Sequence, residues 1–279
     1  MLRKPRLFVL VLFLLLLVWG LSERCVGDSN ERTDAAHRVG AVPKELRESL
    51  KLDPFYAKYV EFKGYPILAS KTVSNSALLE ARYLIGRMLD GREDIVRALC
   101  KSKCRFVVMS PREMTTDVPE QRNMKPKDYW DKRARGLGGR ITSCGEENLL
   151  NLKGDRYYNE NILIHEFAHC IHRWGLREVD PKFDGRLRAA YARARDKGLW
   201  KGTYAATDEK EYWAEGVQSY FDCNAPVGGV HNDIDKREKL AKYDPILFEL
   251  IDEVFKKSSF RYVRYDKRRG GDKKLEDSK

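Results

Sequence analysis

The segment ILIHEFAHCIHRWG, residues 162–175, holds His165, His169 and His172, three of only five histidines in a chain of 279 residues. Imidazoles four residues apart face the same way on an α-helix, where positions i and i+4 are neighbours. At 100° per residue the three histidines fall within about 60° of one another. Leu163, Phe167, Cys170, Ile171 and Trp174 cluster on the opposite side. The pattern predicts a helix that packs its back against a core, presents imidazoles from its front and stops at Gly175.

Glu166 completes the spacing HExxH. Two imidazole nitrogens one turn apart can share one tetrahedral cation, with a carboxylate beside them, and zinc is the ion that suits this donor set. A catalytic zinc needs a third protein ligand and leaves its fourth position open. Three residues compete for that place. His172 shares the face but lies nearly a turn beyond His169 on the same helix, which strains any reach back; lining the cleft suits it better. The metzincin pattern HExxHxxGxxH is excluded, because its glycine position is His172 and its third histidine position is Gly175. Glu211 and Glu215, four apart in DEKEYWAEGVQSYF, share one face of a second helix. Glu211 also fits a capping box with Asp208, and Glu215 also fits a solvated position. Tyr212, Trp213, Val217 and Tyr220 make that helix largely buried, however, and buried carboxylates need partners.

HEFAH followed some forty residues later by TYAATDEKEYWAE resembles the catalytic domain of anthrax lethal factor and its relatives among the gluzincin metallopeptidases. The likeness covers residues 160–221. In that family a tyrosine lies seven residues before the glutamate ligand and a second glutamate four residues after it. Tyr204, Glu211 and Glu215 reproduce the spacing. The resemblance implies that His165, His169 and Glu211 bind one Zn²⁺ and that Tyr204 donates to the transition state. It also implies that Glu215 supports a zinc-bound imidazole, which leads us to expect it on the second ring N–H of His165. Glu166 is then the general base of a peptidase acting on peptide or protein substrates. Two other readings stay open: a zinc hydrolase of a non-peptide amide, and an inactive binding module with structural zinc.

The formal charge of +11 does not point to nucleic acid. Three positive charges lie in Arg3, Lys4 and Arg6, and residues 261–279 carry eight basic against four acidic side chains, which leaves +4 for the body. No zinc finger, RNP-type motif or long basic helix is present. Residues 7–19, LFVLVLFLLLLVW, are apolar and too short to span a bilayer comfortably, so 1–27 reads as a cleaved signal peptide and the protein as secreted, without a stable membrane span. In an oxidising compartment some of the six cysteines should form disulfide bonds.

Residues 28–45 read as a polar linker or short pro-segment, 46–260 as the metallopeptidase domain and 261–279 as a basic disordered tail. GYPILAS and CRFVVMS look like strands. SNSALLEARYLIGRMLDG looks like a helix capped by Ser74 or Ser76. Residues 111–140 read as a long loop, locally positive over 122–140, where seven basic side chains meet two acidic. RITSCGEENLLNL offers a strand or hairpin, and its first part could serve as an edge strand for an extended peptide. FDGRLRAAYARARDK and PILFELIDEVFKK read as helices, the latter opened by Asp244-Pro245. Strands early and helices late make the fold class α+β, a small mixed sheet followed by a mostly helical half, and the resemblance implies a zincin-like domain.

Overall fold

The computed structural model describes residues 38–268. The expected signal peptide, Cys25 and residues beyond 268 lie outside them. Six strands form one mixed sheet in the order β1-β2-β3-β4-β6-β5. They are β1 (Gly40–Ala41), β2 (Lys58–Phe62), β3 (Tyr65–Ala69), β4 (Arg105–Met109), β5 (Gly136–Leu137) and β6 (Ile141–Gly145). β1, β2 and β3 pair antiparallel, β3-β4 and β4-β6 pair parallel, and β5 returns antiparallel on β6. The helices are α1 (Lys44–Leu50), α2 (Asn75–Met88), α3 (Glu93–Lys101), α4 (Lys127–Arg133), α5 (Glu146–Leu149), α6 (Ile162–Cys170), α7 (Phe183–Asp196), α8 (Glu209–Tyr220), α9 (Arg237–Tyr243) and α10 (Pro245–Val254). The class is α+β: the strands are interleaved with α1–α4 up to residue 145, and only helices follow.

Every residue of β3 and β4 is buried, because both faces of the sheet are covered. Alternation sorts their side chains. Tyr65, Ile67, Phe106 and Val108 join the main core with α2, α6 and α8. Leu68, Val107 and Met109 join a smaller cluster with Leu52 and Tyr56. The back of α6 meets the first face: Phe167 sits 5.4 Å from the Tyr65 ring and 6.5 Å from Phe106, centroid to centroid. Burying an aromatic of that size contributes roughly 1.5–3 kcal/mol, enough to fix which side of α6 faces the cleft.

Several expectations need correction. The helix of residues 162–175 does not stop at Gly175. It passes through a π-type turn, Ile171–Leu176, and ends at Val179. Gly175 is there for packing, since a Cβ on it would lie 2.8 Å from Ile95 Cγ2 of α3. Residues 111–140 are not simply a loop; they contain α4 and β5. The strand of RITSCG is interior, bonded to β4 on one side and β5 on the other, so the edge belongs to β5.

Both ends of the folded body extend further than the sequence suggested. β1 and the start of α1 fall within residues 28–45. Residues 261–268 pack on the body, with Tyr262 N donating to Phe221 O at 2.8 Å and Arg268 paired with buried Glu80. Cys100, Cys104, Cys144, Cys170 and Cys223 are all free thiols. The expected disulfide is therefore not found among the described residues. Cys144 and Cys223 spend their S–H groups on backbone carbonyls, at 3.4 Å each. No helix among the described residues is long and apolar enough to cross a membrane.

Candidate metal centre

Two helices and one edge strand build the site. α6 is started by Asn161, whose side chain accepts from Ile164 N at 3.0 Å, and by Asn148, whose Oδ1 accepts from Ile162 N at 2.8 Å. α8 is started by Asp208, which accepts from Lys210 N at 2.8 Å and Glu211 N at 3.0 Å. Trp213 Nε1 then donates to Ala168 O at 2.9 Å and locks α8 against α6. Each contact satisfies a donor that a helix end or a buried indole would otherwise leave unpaired.

The result is a triangle of three ligand atoms. His165 Nε2 lies 3.1 Å from Glu211 Oε2, His169 Nε2 lies 3.4 Å from the same oxygen, and the two imidazole nitrogens are 3.2 Å apart. Three vertices of a tetrahedron around zinc, with bonds of about 2.0–2.1 Å, stand about 3.3 Å apart. The donor set and its spacing fit that ion. Only half of the capping box forms: Asp208 caps the helix, while the Glu211 carboxylate faces the imidazoles. An oxygen of Glu166 also comes within 4.8 Å of ring nitrogens of both histidines, but that of Glu211 closes the triangle at hydrogen-bond range.

Burial works against charge on both partners, and the local fields overcome it. Burial would raise the Glu211 carboxyl, yet hydrogen bonds from His165 and His169 hold it well below the usual range. Burial would lower His165, yet Glu211, Glu166 and Glu215 raise it to about 10. So much negative charge around one buried imidazole is what a cation balances.

The partner of the second nitrogen of His165 differs from the one expected. Its Nδ1 lies 2.7 Å from Gln218 Oε1, whereas Glu215 Oε1 stands at 3.6 Å. Gln218 is itself held by Glu160 and the Asn161 carbonyl, at 3.1 and 3.2 Å. Glu215 instead meets His231 Nδ1 and Asn224 Nδ2, each at 3.2 Å. Gln218 lies seven residues after Glu211, two turns along the same helix face, and that spacing was the signal that could have found it. His172 does not join the triangle; its Nε2 bonds Asp184 Oδ1 at 2.8 Å, and it lines the cleft beside Phe183.

Tyr204 sits in the short turn before α8, its backbone N bonded to Val230 O at 2.8 Å. Its ring stacks on that of His165 with centroids 6.2 Å apart. Burial and the Glu211 charge, offset in part by Arg133, push its hydroxyl up to about 12. It therefore stays protonated and able to donate at neutral pH.

One wall of the cleft is β5 and the glycines after it. A Cβ on Gly138 would stand 2.7 Å from His169 Cβ and 3.1 Å from Glu166 Oε2, and one on Gly136 would stand 2.4 Å from Ile162 Cγ2. Glycine lets the edge strand lie directly on the HExxH helix. Arg135 anchors it, bound to Glu147 through Nε at 2.5 Å and Nη2 at 2.9 Å. On the zinc-peptidase reading proposed below, Gly138→Ala should displace the strand and lower kcat/KM by about 10²-fold, the scale of a roughly 1 Å misplacement, while zinc content stays at the wild-type level. Steady-state kinetics beside metal analysis checks this.

No family model matches the chain, and no curated protein does. Among solved structures it is similar to the Pro-Pro endopeptidase of Paenibacillus alvei, with 19% identity and a TM-score of 0.45, over 67% of this chain and 96% of that one.

Proposed function

We propose that this chain is an exported, zinc-dependent metallopeptidase of the gluzincin type, with a zincin-like fold. The observation that supports this best is the triangle of His165, His169 and Glu211, whose sides of 3.1, 3.2 and 3.4 Å suit one tetrahedral zinc. Zinc held there would supply Lewis acidity and a water of lowered pKa.

The remaining work falls to the chain itself. Glu166, next to the first ligand and outside the triangle, accepts the proton of the attacking water at its carboxylate and passes it to the leaving nitrogen. Tyr204 donates its hydroxyl hydrogen to the oxygen on which negative charge develops. Gln218 accepts from His165 Nδ1–H, which fixes the ring so that Nε2 faces the triangle. The free edge of β5 offers backbone groups to an extended peptide. A purely structural zinc would call for a fourth protein ligand, and His172 is engaged with Asp184 instead.

The test is cleavage of a random peptide library by the purified protein beside a Glu166→Gln control. Cleavage by the first alone supports the reading; cleavage by both or by neither contradicts it. Tyr204→Phe should retain zinc and fold while kcat falls by about 10²-fold, the usual scale for one oxyanion donor. An unchanged kcat would remove Tyr204 from the mechanism.

A further inference from the structure

Acidic and basic side chains occupy different levels of the cleft. Its acids are Glu160, Glu166, Glu211 and Glu215, and each is buried or half-buried. Glu211 faces the imidazoles, Glu215 meets His231 and Glu160 accepts from Gln218. These four make the floor. Of the basic side chains, Arg135 is buried against Glu147, whereas Arg133, Arg173, Arg177 and Lys210 are exposed, and Arg173 forms a distinct group with Arg140.

Arg140 follows the glycines that end the β5 wall, and Arg173, which lines the cleft, follows His172 on the helix. The two converge on one indole: the Arg140 guanidinium carbon lies 4.4 Å from the Trp174 ring centroid and that of Arg173 lies 5.4 Å from it. Both arginines are exposed. Arg177 nearby is committed to Asp184 at 2.7 Å, whereas neither Arg140 nor Arg173 has a carboxylate partner among the described residues. A guanidinium stacked on an aromatic face is already oriented, and its planar fork matches a carboxylate.

We propose that Arg173, which lines the cleft, and Arg140, which shares its indole just beyond the lining, select peptides carrying an acidic side chain at this edge of the cleft. This rests on the peptidase reading and specifies its substrate class. The floor carboxylates repel a second negative charge, so an acidic side chain is favoured at this edge alone.

The test uses two fluorescein-labelled decapeptide pools, one containing Asp and Glu and the other Asn and Gln in their place. Full-length Glu166→Gln protein, which binds without turnover, is titrated with each and followed by anisotropy. The acidic pool should bind about fivefold more tightly in low salt, the scale of two exposed ion pairs, and lose that advantage in about 0.5 M NaCl. The advantage should also vanish when Arg140→Gln and Arg173→Gln are added together. Equal binding of the pools, or a preference that survives the double substitution, overturns the proposal. Cleavage by the wild-type protein is read separately: a binding preference without cleavage contradicts the peptidase reading and leaves the recognition standing, and cleavage without preference does the reverse.

Discussion

Glu166→Gln is expected to fold normally, hold zinc as the wild type does and cut peptides about 10³-fold more slowly. The amide has nearly the shape of the carboxylate but cannot accept the proton. The metal should stay, because the triangle is made by His165, His169 and Glu211 at 3.1, 3.2 and 3.4 Å without Glu166. Kinetics and zinc content measured on one preparation separate the two roles. Loss of zinc in Glu166→Gln would mean that its nearby oxygen, within 4.8 Å of both imidazoles, is a ligand and not the base.

Glu211→Ala should have the largest effect on the metal. It removes one vertex of the triangle and leaves two imidazoles, so zinc affinity should fall by more than about 10²-fold, beyond the roughly 10–100-fold typical of outer partners. Gln218→Leu removes the acceptor of His165 Nδ1–H and should stay within that smaller range. Glu215→Ala should cost less still, since its oxygen stands 3.6 Å from the ring and its main partners are His231 and Asn224. Zinc content after identical dialysis against a weak chelator ranks the three. An empty Glu215→Ala beside a loaded Glu211→Ala would reverse the assignment.

What could be read in the sequence was what periodicity carries. The apolar back of α6, the cap at Ser74 and the Asp244-Pro245 start of α10 follow from local rules, and the structure shows them. The face shared by His165 and His169 is equally local. Less legible were features decided by distant packing. Gly175 has the look of a helix stop but admits Ile95 of α3 against the helix. Gly136 and Gly138 lie in a stretch that reads as loop, and only contact with α6 reveals why side chains are absent there. The partner of His165 Nδ1 depends on packing in the same way: the resemblance pointed to Glu215, whereas the packing of α8 on α6 puts Gln218 at 2.7 Å and Glu215 at 3.6 Å. Spacing along one helix does not determine sub-ångström choices between two.

His165 and His169 are expected to hold zinc, and His172 is not. Metal content by mass spectrometry on the wild type, His169→Ala and His172→Ala, purified alike, tests this most directly. The expected contents are about one zinc per chain, almost none, and about one, respectively. Zinc retained in His169→Ala, or lost in a folded His172→Ala, would contradict the assignment.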